Sequence, residues 1–313
     1  MTSQDTNTNT KTSVQYYAVF GDIHGRVALM YTLARQWEEQ TGHRLSGILQ
    51  VGDMGAYPDP TRVDKATRRH AERDSDELDF HNYCHRSRSG QRFLGHPQAP
   101  QTLFIRGNHE DFDYLGSFSS PTTIDPWDRM TYIPDGHIVD FQPEWDDEAP
   151  ILRVAGFGGV HPKNATRGRG HRQRQAYRKA KAQYASNPKY FCLEHAETAF
   201  SGESVDVLMT HAGPYSNTLP RGSEALEALA TRIRPRFHFF GHHHAVVGPT
   251  QGPGDSWLIG LDHLDFDSSG TLADSAWGIL YLEPGAFDFQ FATHKTFPWL
   301  HNIRRKTYRH LAA

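Results

Sequence analysis

The chain has 313 residues, 37% hydrophobic and 22% charged, with a formal net charge of −3 and a pI near 6.7. That balance suits a globular protein of one large domain or two small ones and gives no global electrostatic reason to expect nucleic acid. Two cysteines, Cys84 and Cys192, exclude a disulfide framework and suit a reducing cytoplasmic setting, and no apolar run reaches the roughly 18 residues of a membrane span.

Residues 1–13 are rich in Thr, Asn and Ser, lack an apolar stretch and read as a disordered tail rather than a signal peptide. Val14 to Phe20 predicts the first buried strand, broken by Gly21. Asp22 and His24 follow, two positions apart. If the turn stays extended they point the same way, a carboxylate and an imidazole suited to Zn, Mn or Fe. Arg26 to Gln40 carries apolar residues at helical spacing, and Ser46 to Val51 predicts a second strand that runs into Gly52-Asp53-Met54-Gly55. Strand, helix and strand in this order imply a βαβ unit, with ligand groups gathered at the carboxyl ends of parallel strands.

Residues 56–99 mix charges of both signs and read as an inserted surface excursion or a cap beside the site. Gln101 to Ile105 predicts a third strand, leading into Arg106-Gly-Asn108-His109-Glu110. Ile151 to Val160 predicts a further strand and turn. A second insertion, about 161–200, holds nine Lys/Arg between Lys163 and Lys189 and no acidic residue over that span. With its interleaved tyrosines it suits single-stranded nucleic acid or, equally, a solvated loop and helix. Val205 to Met209 ends in Thr210-His211. Glu224 to Ile233 predicts a helix, and Phe237 to Phe240 a strand before Gly241-His242-His243-His244, where His242 and His244 again share a side if the turn is extended. Trp257 to Phe291 has the alternation of antiparallel strands. Trp299 to Leu311 predicts a basic amphipathic helix, most simply packed on the body, so the main domain spans 14–298.

Five polar clusters thus each follow a strand-like run: Asp22/His24, Asp53, Asn108/His109, His211 and His242/His244. Their carboxylates, amide and imidazoles exceed the needs of one tetrahedral zinc and match two divalent ions sharing a carboxylate. Two such ions about 3.5–4 Å apart clamp a displacement at phosphorus and make hydroxide available at neutral pH. The 20 histidines point the same way, since imidazole is the commonest metal ligand.

In that order, Gly-Asp-x-His-Gly, Gly-Asp-x-Gly, Gly-Asn-His-Glu, a lone His after a strand and Gly-His-x-His resemble the calcineurin-like metallophosphoesterases. The resemblance implies an α/β fold, a four-layer αββα double β-sandwich. It implies Asp22, His24 and His244 on a first metal, Asn108, His211 and His242 on a second, and Asp53 bridging, with Mn, Fe, Zn or Ni all compatible. His109 would contact the phosphate and assist the leaving group, Asn108 would also face the substrate, and Glu110 would support the ligands from behind. Arg106 is open to a phosphate contact or a structural ion pair. No Asp-Arg-Gly follows the second motif, unlike protein Ser/Thr phosphatases and diadenosine tetraphosphatases. The sequence around Val19–Gly25, Gly107–Leu115 and Val205–His211 is locally similar to RNA lariat-debranching enzymes, although those have Cys where Asp22 stands and Asn where Asp53 stands. The expected activity is a metal-dependent phosphodiesterase acting by attack of a bridging hydroxide, on nucleic acid or nucleotides. The alternatives are a small-molecule phosphomonoesterase and a catalytically silent scaffold of the same fold.

Overall fold

Along the first strand, β1 (Gln15–Phe20), Tyr17 and Val19 point to one face and Ala18 and Phe20 to the other, and all four are fully buried. A strand apolar on both faces must be covered on both. In the computed structural model, which describes residues 14–161 and 186–311 with the isolated positions 175, 178, 179 and 182, the two covers are different. Tyr17 and Val19 join a core shared with a second sheet, while Ala18 and Phe20 pack in another core with helix α1 (Val27–Thr41). The expected tail 1–13 and most of the basic stretch 163–189 lie outside the described residues.

The first sheet is extended by β2 (Gly47–Gln50), β3 (Thr102–Phe104), β4 (Thr122–Thr123) and β5 (Met130–Tyr132). The second is built from β6 (His137–Phe141), β7 (Leu152–Phe157), β8 (Val207–Thr210), β9 (Phe237–Phe240), β10 (Val247–Gln251) and β11 (Trp257–Gly260). The chain then returns to the first sheet with β12 (Trp277–Glu283) and β13 (Ala286–Phe291). The orders are β13-β12-β1-β2-β3-β5-β4 and β10-β11-β9-β8-β7-β6. The period-two pattern is the same throughout: Leu49, Leu103, Val207, Met209, Phe237 and Phe239 fill the space between the sheets. Leu208 faces outward, onto α5 (Leu193–Thr198) and α6 (Glu224–Ile233). The result is the αββα double sandwich.

Four strands of the first sheet, β1, β2, β3 and β5, are mutually parallel, and so are β7, β8, β9 and β11 of the second. Their carboxyl ends meet at one rim. The antiparallel reading of 257–291 holds for β12 and β13 and for β11 against β10, but β11 runs parallel to its other neighbour, β9.

Two other readings change. Residues 56–99 are no free excursion. They form 3₁₀ turns, α2 (Lys65–Ala71) and α3 (Arg88–Phe93), and bury Phe80, Tyr83, Phe93 and Leu94 in the core beneath α1. Residues 299–311 are not one helix. A 3₁₀ turn at Pro298–Asn302 and a single α-turn at Tyr308–Leu311 are separated by a bridge at Arg304 and a turn over 305–307, because Leu300, Ile303 and Tyr308 must all reach that core. Tyr308 donates to Asp76 at 2.6 Å, and Arg309 reaches Asp76 and Asp79 at 2.8 Å, so the C-terminal turn holds the 56–99 segment down.

Candidate metal centre

The loops at the rim are tight rather than extended. His24, Asp53, His242 and His244 all have positive φ, between +42° and +62°. The extended-turn geometry expected for Asp22/His24 and His242/His244 therefore does not occur. Left-handed backbone costs a non-glycine residue roughly 1–2 kcal/mol, and here hydrogen bonds hold it in place. The amides of Ile23 and His24 both donate to the Asp53 carbonyl, at 3.1 and 2.9 Å, and Gly25 donates to Met54. The loop after β1 is thereby tied to the loop after β2.

Convergence comes instead from the strand ends. Asp22, His24 and His244 bring three ligand atoms within 4.8 Å of one another, and Asp22, Asp53 and His211 do the same. Asp53 uses its two oxygens differently. Oδ1 accepts the amides of Asn108 and His109 at 2.6 and 2.7 Å. Oδ2 stands 3.8 Å from His24 Nε2 on one side and 3.4 Å from His211 Nε2 on the other. His211 Nδ1 donates to the Val51 carbonyl at 3.0 Å, which directs Nε2 towards Asp53 and places it 3.2 Å from Asn108 Oδ1. Asp22 accepts the His242 amide and lies 3.4 Å from His244 Nε2. His242 completes neither three-donor group, but its ring lies 5.0 Å from that of His211 and lines the cleft. His243 does not line the cleft, and its Nε2 accepts from the Gly213 amide.

The electrostatics favour a cation. Asp22 and Asp53 are 1% and 2% exposed, and among the described residues their ionic partners are histidines alone. Buried carboxylates need compensating charge. Burial alone lowers the His211 pKa, but Asp53 and Asp22 outweigh it and hold the ring up to about 9. Burial brings His24 to about 4 and His242 to about 3, so both are neutral and free to ligate. The donor set of carboxylate, amide and neutral imidazole suits divalent transition metals.

Two glycines make the approach possible. A Cβ on Gly107 would overlap Asp53 Oδ1, and one on Gly241 would overlap Asp22 Oδ1. Gly107→Ala should therefore push Asp53 off its amides, cost about 1–3 kcal/mol in urea unfolding and reduce the metal recovered with the purified chain.

His109 is paired with a carboxylate from the 56–99 segment. Its Nδ1 meets Asp64 Oδ2 at 2.7 Å, and the Tyr57 hydroxyl donates to the same oxygen at 2.8 Å. Burial lowers the His109 pKa, yet the bond to Asp64 and the Asp53 charge outweigh it and raise the pKa above the usual imidazole value. Asp64 also caps α2 through Ala66 and Thr67, so the 56–99 segment supplies the group that orients His109. Glu110 is no ligand: its oxygens accept the amides of Met54, Ala56 and Gly107. Of the two roles left open for Arg106, a phosphate contact and a structural ion pair, the structure has the ion pair. It binds Asp135 at 2.6 Å and donates to the carbonyls of Pro188 and Tyr190, and it does not line the cleft.

The sequence reading missed Asp64, Tyr57, His70 and the group Asp262/His263/Asp265. His263 stacks on His244 at 4.5 Å between ring centres and faces Asp262 and Asp265 with its two nitrogens. The cleft bounded by these loops and α2 has a volume of about 290 Å³.

A double sandwich whose parallel strand ends deliver carboxylates and imidazoles to one rim defines a hydrolase scaffold built to carry metal. The family model of calcineurin-like phosphoesterases matches residues 16–246, and the chain belongs to that family. It is 30% identical over 103 residues to the lariat debranching enzyme of Entamoeba histolytica, a match covering 33% of this chain and 26% of that protein; the chain thus spans about a quarter of the curated relative it matches. Among solved structures it is similar to TT1561 of Thermus thermophilus, with 13% identity, a TM-score of 0.46 and coverage of 89% and 99% of the two chains. It is also similar to a phosphatase of Mycoplasma pneumoniae, with 8% identity, a TM-score of 0.45 and coverage of 90% and 94%. No helix among the described residues is long and apolar enough to cross a membrane.

Proposed function

We propose that the protein is a phosphodiesterase that binds two divalent cations and acts on a nucleotide or nucleic-acid phosphodiester. The observation that carries this reading is the pair of buried aspartates without lysine or arginine partners among the described residues, set among histidines at the rim. Asp22, His24 and His244 would hold one cation, and Asn108, His211 and His242 the other. Asp53 Oδ2, facing a histidine of each set, would serve both. Bound, the cations would neutralise phosphoryl charge and supply an activated water as nucleophile.

The chain's own residues do the rest. His109, whose Nδ1 is held by Asp64 and whose pKa the Asp64 and Asp53 charges raise, would give its Nε2 proton to the departing oxygen. Asn108, beside it on the same loop, offers its amide to the substrate as well as its oxygen to the metal. The 56–99 segment covers one side of the cleft and limits water access. The local likeness to a debranching enzyme supports a nucleic-acid-type ester, while Asp22 and Asp53 support the two-cation set.

With manganese supplied, hydrolysis of bis-p-nitrophenyl phosphate should exceed that of p-nitrophenyl phosphate at least tenfold in kcat/KM, about 1.4 kcal/mol of discrimination. A preference for the monoester would replace the diester reading with a phosphomonoesterase. Inertness towards both, with metal bound, would leave a scaffold.

A further inference from the structure

The cleft wall formed by α2 falls into one stripe. Ala66, Thr67 and His70 line the cleft. Helical spacing puts Arg69 three residues after Ala66, on the same side, and Arg73 lies two residues past the end of α2. As the chain leaves the helix, the Arg73 amide donates to the His70 carbonyl at 2.9 Å, which keeps Arg73 beside that turn. Arg69, His70 and Arg73 are all exposed. Neither arginine enters an ion pair among the described residues, whereas their neighbour Arg68 donates to Thr61 O.

The acidic groups of the same cleft are already engaged. Glu77 and Asp265 bind the buried Arg26 at 3.2 and 3.1 Å, and Asp265 also faces His263. Free positive charge on this wall is therefore concentrated at the end of α2. Burial, then Arg69 and Arg73, lower the His70 pKa, and His109 contributes too, so both arginines and the proton donor lie within electrostatic reach of one ring.

We propose that Arg69, His70 and Arg73 form a second phosphate subsite, which takes the phosphate next to the scissile one in a nucleotide chain. The inference rests on the phosphodiesterase reading and adds to it. A single phosphoester occupies the metal rim alone; a nucleotide chain engages the rim and the α2 lip together. Two arginines and an imidazole suit a phosphate by charge and by hydrogen-bond geometry.

The test compares a nucleoside 5′-(p-nitrophenyl phosphate) with the same ester phosphorylated on its 3′-oxygen, both with manganese. The phosphorylated ester should be favoured about tenfold or more in kcat/KM by the wild-type chain, and raising the salt should erode that advantage. In R69Q/R73Q the ratio should fall below about threefold, while turnover of the plain ester reports that the fold and metal centre are intact. Should the double variant lose the plain reaction as well, the single variants R69Q and R73Q give the same ratio. A ratio near one in the wild type, or an undiminished ratio in the variants, overturns the subsite. A wild-type chain inert towards both esters overturns the phosphodiesterase reading and this inference with it.

Discussion

Asp53→Asn should leave the chain folded but strip it of metal. The amide keeps an oxygen for the Oδ1 role, so the hydrogen bonds from Asn108 and His109 that join the β2 and β3 loops can persist. What changes is the other atom. Oδ2 now faces His24 and His211, and in the variant an NH₂ group, a donor without charge, points at both. Two sets of ligands lose their shared anion at once. Metal content after dialysis should fall from about two per chain to below one, and kcat/KM on bis-p-nitrophenyl phosphate should fall at least ~10³-fold, the scale of losing several kcal/mol of charge stabilisation. The rise in Tm on adding manganese should shrink with it, because cation binding stabilises only the state that binds. Asp22→Asn makes a useful contrast. Asp22 pairs with His244 and, more distantly, with His211 Nδ1, the nitrogen already given to Val51, so one metal should survive its loss. If Asp53→Asn keeps full two-metal occupancy, Asp53 is not shared.

How much of this was legible beforehand depends on whether local pattern or long-range packing decided the matter. The helix at 224–233 and the strand at 237–240 have the boundaries their apolar periodicity predicts. The rim was legible because an apolar run leading to a metal-ligating side chain recurs five times, with a glycine just before that side chain at Asp22, Asp53, Asn108 and His242. A looser form, Leu258-Ile-Gly-Leu-Asp262-His263, has an apolar residue between the glycine and the carboxylate, and there it was hidden by the alternating sequence that follows. Nothing local shows that β11 lies antiparallel to β10 on one side and parallel to β9 on the other; its long-range partners decide that. Asp64 was illegible for a related reason. It sits 45 residues before His109 and has the look of an ordinary helix cap, which it also is. Arg106 shows the converse. A cation in the right motif is spent on Asp135, a partner 29 residues away that no spacing rule marks. The tight turns were misjudged because Asp and His tolerate positive φ without advertising it as glycine does.

His109→Ala should be the other large loss, and its dependence on the leaving group identifies its cause. The His109 ring contributes to neither three-donor metal group, and its Nδ1 is taken by Asp64. Removing the ring should therefore leave metal content unchanged while lowering kcat at least ~10²-fold on an ester with a poor leaving group, the range of a lost general acid. The backbone amide of residue 109 still donates to Asp53 in the variant, so the metal centre keeps that support. p-Nitrophenolate departs without a proton, so the loss on bis-p-nitrophenyl phosphate should be smaller than on an alkyl ester such as a dinucleotide. A purely structural His109 would instead depress both substrates alike, and a metal ligand would release its ion. Asp64→Asn separates orientation from proton supply. The amide can still bond the ring, but it no longer charges it, so turnover of the dinucleotide should fall by about tenfold with metal retained and the p-nitrophenyl ester little affected. The Tyr57 hydroxyl, which donates to the same Asp64 oxygen, gives the graded control: Tyr57→Phe removes one hydrogen bond from the carboxylate and nothing from His109, and its effect should be the smallest of the three. Equal losses from all three variants on both substrates would mean that the dyad merely supports the wall of the cleft.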